Sequence, residues 1–257
     1  MSDPSSPTDL GLRDRRVLVT GGGRGIGRAC VELFAACGAR VLFTYRSGRE
    51  AADSIVSWAT ERGCKAAALQ SDAADAGSYD SLQASVAAQL GGLDILVNNV
   101  GDAVRRSSFA NSDDALWVDS LTINLLSAVR ATRALRPLLV ASDAGVVVNI
   151  SSIAATTTGA GDSLHYGVAK AALNTFTIGL AKEFAGTAVR AVGVSPSAID
   201  TDFQTRHSSA ERLKAIVAQT PAARVGTAEE VAWAVALLAS PRSAYINGAV
   251  LPVTGGR

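Results

Sequence analysis

Seven short runs rich in β-branched and other apolar residues recur along the chain, and all but the last two are followed directly by a longer alanine- and leucine-rich stretch. The runs are Val17 to Thr20, Arg40 to Tyr45, Ala66 to Gln70, Ile95 to Asn98, Gly145 to Ile150, Val189 to Val194 and Ala249 to Pro252. Runs of this length that are apolar throughout read as strands buried on both faces, and such strands are parallel and joined by crossover helices. The intervening stretches supply the helices: Gly25 to Cys37, Glu50 to Arg62, Ser78 to Leu90, Ser112 to Leu139, Leu164 to Phe184, Ser209 to Ala218 and Ala228 to Leu238. The expected fold is therefore α/β, a single doubly wound Rossmann-type domain with a seven-stranded parallel sheet and helices on both faces. No repeat, low-complexity tract or long polar linker divides residues 13–257, and the polar, proline-bearing residues 1–12 read as a flexible or loosely docked tail. The least regular stretch, Ser195 to Thr227, follows the sixth strand. Ligands of open α/β sheets sit beyond the strands' carboxyl ends, so this stretch is placed to act as a substrate lid.

Charge narrows the choice of ligand. With 24 basic and 23 acidic residues among 257, the chain shows no overall bias towards nucleic acid or a membrane surface, and a small molecule is the expected partner. Cys30, Cys37 and Cys64 form neither a zinc pattern nor a CxxC pair and read as small residues in a reducing compartment. His165 and His207 lack metal-ligand spacing, and His165 reads as cleft wall. No stretch approaches the roughly 18 apolar residues of a membrane span, and residues 1–10 lack the apolar core of a secretory signal, so a cytoplasmic location is expected.

Two motifs carry chemistry. The run Thr20-Gly21-Gly22-Gly23-Arg24-Gly25-Ile26-Gly27 leaves the first strand and opens a helix, the way in which a dinucleotide pyrophosphate is held. Glycine spacing alone is common in a chain with 24 glycines; the strand before it and the helical pattern after it make the assignment. About 140 residues on, Tyr166 and Lys170 lie four apart, one turn of the expected fifth helix. A phenol beside an ammonium has its pKa lowered from about 10, which suits proton exchange with a carbonyl or an alcohol. The pair follows the strand ending in Asn149-Ile150-Ser151-Ser152 and so faces the same sheet edge as the glycine turn.

In these positions the chain resembles the short-chain dehydrogenases/reductases, and among them the 3-oxoacyl-(acyl-carrier-protein) reductase-like members. TGGGRGIG is similar to the family's TGxxxGxG, Asn98-Asn99-Val100-Gly101 to its NNAG, and Tyr166 to Lys170 to its YxxxK. Asn124 in Thr122-Ile123-Asn124-Leu125-Leu126 matches the family's tetrad Asn, and Ser152 its catalytic Ser. The resemblance implies that Tyr166 is general acid or base, that Lys170 lowers its pKa and binds the nicotinamide ribose, and that Ser152 donates to the developing oxyanion. It also implies that Asn124 holds a water linking Lys170 to solvent. Cofactor contacts are expected from Gly21, Gly23, Arg24, Gly25, Ile26 and Gly27, from Tyr45, Arg46 and Ser47, from Asp72 and Ala73, and from Asn99, Val100 and Gly101. Pro196, Ser197, Ile199 and Thr201 complete that set with Tyr166 and Lys170. A homotetramer or dimer built on the helices Ser112 to Leu139 and Leu164 to Phe184 is implied on the same ground.

At the end of the second strand an acidic residue would accept hydrogen bonds from the ribose 2′-hydroxyl and repel a 2′-phosphate. This chain has Tyr45 there with Arg46 beside it, and Arg24 in the glycine turn, so NADP(H) is favoured over NAD(H). Two positions depart from the family pattern. Val100 replaces Ala, a change expected to repack the turn, and Ser197 stands where Gly follows Pro, in a loop expected to differ in shape because Ser takes positive φ less readily. Arg130, Arg133 and Arg136 recur every three residues and read as a solvated or subunit-facing helix side rather than a carrier-protein dock. The function expected is NADPH-dependent reduction of a ketone, on the scale of a β-keto acyl or polyketide-like substrate, to a secondary alcohol. The same residues serve an NAD(P)-dependent dehydrogenase of a sugar or polyol, and a non-catalytic dinucleotide-binding scaffold is the reading from another class.

Overall fold

The computed structural model describes residues 9–158 and 161–257. Seven parallel strands form one sheet in the order β3-β2-β1-β4-β5-β6-β7: β1 Arg16–Val19, β2 Arg40–Tyr45, β3 Lys65–Gln70, β4 Ile95–Asn98, β5 Val146–Ile150, β6 Arg190–Pro196 and β7 Val250–Val253. The strand order reverses between β1 and β4, and the crevice at that switch point is where such a sheet binds its ligand. Within each strand the alternation of side chains feeds two cores. Val17, Val19, Val41, Phe43, Val146 and Val148 join Phe34 and Val231 on one face, while Leu18, Leu42, Leu96 and Val147 join Leu135 and Leu139 on the other. Each fully buried Val or Leu stabilises the sheet by roughly 1.5–3 kcal/mol, which explains why these runs had no polar alternation to show.

The helices are α1 Gly25–Ala36, α2 Arg49–Glu61, α3 Leu82–Leu90, α4 Asp114–Leu121, α5 Ser127–Val140, α6 Ala154–Thr157, α7 Leu164–Glu183, α8 Asp202–His207, α9 Ala210–Ala218 and α10 Ala228–Ala239. The long helix expected from Ser112 to Leu139 is interrupted by a π turn, Thr122–Leu126, which carries Asn124. Two short helices, α6 and α8, escaped the periodicity because four and six residues show too little of a 3.6-residue repeat.

Beneath the crevice a polar chain crosses the core. Asn98 Nδ2 donates to Asn149 Oδ1 (2.9 Å) and to Thr132 Oγ1 (3.1 Å), and Asn149 Nδ2 donates to Thr177 Oγ1 (2.9 Å). Of the stretch expected as a tail, residues 1–8 lie outside the described residues. Asp9 to Leu12 are docked rather than loose: Ser240 Oγ donates to the Leu10 carbonyl (2.7 Å), and Leu12 is buried in the core. Cys30, Cys37 and Cys64 are free thiols, and burial pushes that of Cys30 up to about 12. Among the described residues no helix is long and apolar enough to cross a membrane, and no cluster of His, Cys, Asp or Glu is arranged to hold a metal.

Candidate active site

A cavity of about 700 Å³ runs along the carboxyl ends of the strands, a size that accommodates a dinucleotide end with a small substrate. At one end lies the glycine turn. Thr44 pins it from β2, its Oγ1 accepting from Gly21 N–H (3.1 Å) and its carbonyl from Gly22 N–H (2.8 Å). Asn99 pins it from just beyond β4, with Nδ2 donating to the carbonyls of Thr20 and Gly21, both at 3.0 Å. Gly21 and Gly25 have φ of +65° and +53°, conformations that a side chain would strain. A Cβ on Gly27 would lie 2.4 Å from the Gly21 carbonyl oxygen and 2.5 Å from Asn99 Nδ2, so Gly27 packs helix against turn and does not itself line the cavity.

The turn delivers the N-terminus of α1 to the cavity. Arg24 occupies the N-cap position without a side-chain cap, and the first turn carries no acid, so its N–H groups and positive dipole end face an anion without competition. Tyr45, Arg46 and Ser47, with Asp72 and Ala73, line the far end as expected. Arg24 and Arg46 are exposed, and neither guanidinium has an ion-pair partner among the described residues. These features meet the needs of a dinucleotide: close backbone approach, an uncapped helix start for the pyrophosphate and two free cations beside the adenosine end.

Asn99, Val100 and Gly101 line the middle of the cavity, together with Ile26, Pro196, Ser197, Ile199 and Thr201. Val100 packs closely on the turn: its Cγ2 is 3.0 Å from where a Gly21 Cβ would stand. Ser197 did not need a glycine's freedom. It is absent from the residues with positive φ, and its N–H continues the strand ladder to the Val253 carbonyl (3.1 Å).

Tyr166 and Lys170 project from α7 into the cavity beside Ser152, with Lys170 Nζ 5.8 Å from the centre of the Tyr166 ring. Lys170 is 2% exposed and donates from Nζ to the Ile150 carbonyl (2.8 Å). Burial pushes Lys170 down to about 7. Burial also raises Tyr166 to about 12, with a hydrogen bond to Ser152 pulling the other way. The expected lowering of the Tyr166 pKa is therefore not present in the protein alone: desolvation acts on both groups, and the ammonium is turned to a carbonyl rather than to the phenol.

Asn124 is fully buried and does not line the cavity. Its side chain clamps one backbone unit: Oδ1 accepts from Asp102 N–H (3.0 Å), and Nδ2 donates to the carbonyls of Asp102 (2.7 Å) and Ser120 (2.9 Å). A Cβ on Gly101 would lie 2.8 Å from Lys170 Nζ and 2.9 Å from Asn124 Oδ1, so a glycine there keeps a gap open between the two side chains.

The stretch 195–227 narrows to a segment clipped at its base, where Ile199 bridges Gly226 and Asp200 N–H donates to the Gly226 carbonyl (2.9 Å). Between those points α8 and α9 form one wall of the cavity, and Phe203 lies 6.0 Å from the Tyr166 ring. Sequence reasoning missed the carboxylates that hold this wall, Asp102, which pairs with Arg206, and Asp162, which pairs with Arg212. His165 is buried against Trp117 at 6.3 Å rather than forming the cleft wall, and burial lowers its pKa. Of the arginine row on α5, Arg130 reaches across to the Ala74 carbonyl, while Arg133 and Arg136 are exposed.

A family model described as enoyl-(acyl carrier protein) reductase matches residues 21–257. The 3-oxoacyl-(acyl-carrier-protein) reductase of Escherichia coli is 38% identical over 247 residues, 96% of this chain and 98% of its own. A tropinone reductase homolog of Arabidopsis thaliana is 38% identical over 247 residues, 95% of this chain and 92% of its own. Among solved structures, a short chain dehydrogenase of Burkholderia cenocepacia in complex with NADP is similar with a TM-score of 0.89 at 33% identity, covering 95% of this chain and 98% of the other. Sheet order, glycine turn and full-length relatives agree: the chain belongs to the short-chain dehydrogenase/reductase family of NAD(P)-dependent oxidoreductases.

Proposed function

We propose that this protein reduces a ketone to a secondary alcohol with NADPH, and that Tyr166 supplies the proton. The observation that carries the reading is the convergence of Tyr166, Lys170 and Ser152 on one cavity with the glycine turn and two unpaired guanidiniums. NADPH bound along the cavity supplies the hydride. Gly21, Gly23, Gly25 and Ile26 would hold its phosphates, and Arg24 and Arg46 would answer a 2′-phosphate with charge-assisted hydrogen bonds. The NADP complex of the Burkholderia relative supports that choice.

Ser152 orients the carbonyl oxygen and donates to it as negative charge gathers there. Tyr166 hands that oxygen its proton; burial keeps the phenol protonated at neutral pH, so the proton is in place, and the hydrogen bond with Ser152 works to ease its release. Lys170, brought to about 7 by the same burial, exchanges its proton readily and would resupply the phenol, and a water in the gap at Gly101 would in turn link Lys170 to Asn124.

A β-keto acyl or polyketide-like ketone fits the Escherichia coli relative, which acts on a carrier-bound 3-oxoacyl group by its name. Exposed apolar side chains on two faces, Val118, Val168 and Ile178 on one and Trp233, Leu237 and Leu251 on the other, support assembly of copies into a dimer or tetramer. The test is a turnover screen of β-keto thioesters, cyclic ketones and sugars with NADPH and NADH. Reduction of a ketone by NADPH is expected; turnover confined to NAD-linked oxidation of a sugar or polyol overturns the proposal.

A further inference from the structure

The wall formed by α8 and α9 is held by side chains, and its bonds converge on two carboxylates. Asp102 follows directly on the Asn99-Val100-Gly101 turn, and both of its backbone polar groups are clamped by Asn124. Its side chain points the other way, across to α8. Oδ2 accepts from Arg206 Nη1 at 2.7 Å, and Oδ1 accepts from His207 Nε2 at 2.5 Å. A carboxylate only accepts, so Nε2 is the nitrogen that carries the imidazole proton. Burial works to raise the Asp102 carboxyl, and the hydrogen bond and charge of Arg206 overcome it and hold the group below its ordinary range.

The second carboxylate, Asp162, stands just before α7. Oδ1 accepts from Arg106 Nη1 and Oδ2 from Arg212 Nη1 of α9, both at 2.9 Å. Arg106 in turn donates from Nε to the His207 carbonyl. The consequence is felt at Phe203, four residues before His207 on α8. Its ring sits 4.8 Å from the His207 ring and 6.0 Å from that of Tyr166, so fixing His207 fixes the apolar surface beside the reacting phenol.

We propose that Asp102 is a positioning residue that latches the substrate wall: anchored through its backbone to Asn124, it grips Arg206 and His207 and so sets Phe203 against Tyr166. Groups flanking the substrate carbonyl then pack on Phe203, and the latch shapes the pocket without touching the reacting atoms. The kinetic part of the idea rests on the proposed ketone reduction; the structural part does not.

Hydrogen exchange on the full-length protein tests it without any substrate. In Asp102→Asn the amides of residues 203–208 exchange about three- to tenfold faster, the effect of losing one or two partly exposed ion pairs, while those of β1, β4 and β5 do not change. Asp102→Glu restores part of the protection, and Asp143→Asn, which breaks the remote pair with Arg15, leaves α8 alone. Raising NaCl from about 0.05 to about 0.5 M speeds exchange at α8 in the wild type and does so less in Asp102→Asn, where only the Asp162 pairs remain to be screened. With a ketone that turns over, Asp102→Asn raises KM about three- to tenfold and leaves kcat within about twofold, because Asn124 keeps its backbone partner. Unchanged exchange at α8 overturns the latch, as does faster exchange everywhere or a fall in kcat at constant KM. Altered exchange in a protein that reduces no ketone keeps the latch and removes the reaction.

Discussion

The two ends of the cavity are built by different means. The glycine turn is fixed by main chain and by short side chains, the buried Thr44 and the half-buried Asn99, and by glycines whose missing Cβ atoms would collide within about 2.5 Å. The facing wall, α8 and α9, is fixed by arginines and carboxylates, with exposures of 28–38% at Asp102, Arg206 and Asp162. Buried backbone hydrogen bonds leave little room for alternatives, whereas partly exposed ion pairs are worth only about 0.2–1 kcal/mol each. One end is a preformed socket; the other can open at small cost, which suits the lid proposed for it.

The largest effect expected lies where the two ends meet. Tyr166→Phe lowers turnover about a thousandfold, within the range of general acid catalysis, and changes the Kd for NADPH by less than about threefold by fluorescence titration. Turnover within about tenfold of wild type would remove Tyr166 as proton donor. At the socket, Arg46→Asp raises the Kd for NADPH about 10- to 100-fold, the worth of a charge-assisted hydrogen bond plus a repulsion, while NADH binding moves far less. Equal losses for both cofactors would place Arg46 away from the 2′-phosphate.

A pair of substitutions sharpens the contrast directly. Gly27→Ala forces a Cβ against the Gly21 carbonyl, at a cost of about 1–3 kcal/mol, which calorimetry should register as a Tm lower by several degrees. Phe203→Ala on the opposite wall should raise KM and leave Tm within about two degrees; a large fall in Tm there would mean that the wall is as rigid as the socket. The remaining effect is on pH dependence. Lys170 has a folded value of about 7 against about 10.4 in an unfolded chain, so between those values the unfolded state binds more protons. Stability therefore rises with pH across that window, by up to about 1.4 kcal/mol per pH unit. Urea denaturation of the protein without added cofactor should show a rise from pH 7 to 9 that Lys170→Met lacks; an equal rise in the variant would remove Lys170 as its source.

The same contrast decides what the sequence could tell. All seven strands and the glycine turn are legible within a residue or two, because apolar runs and glycine spacing are local signals. The latch is not, since Asp102 and Arg206 stand 104 residues apart and Asp162 and Arg212 stand 50 apart; nothing in one sequence pairs them. Asn124 and Ser197 show a further limit. The motif marks Asn124, but only the π turn and its contacts reveal that the side chain is spent on Asp102. A serine in place of glycine suggested an altered loop, yet the backbone there never asked for positive φ. The shifts at Tyr166 and Lys170 come from burial, which spacing along a helix does not report.

The polar chain from Thr132 through Asn98 and Asn149 to Thr177 also serves folding. Strands β4 and β5 are both short valine- and isoleucine-rich runs, and greasy contacts alone would tolerate sliding one past the other. Sliding by a single position would set Asn149 opposite Val97 or leave Asn98 facing an aliphatic neighbour, stranding an amide where no water can reach it. The chain thus acts as a gauge of strand alignment, favouring the one register in which each amide Nδ2 along it finds its partner.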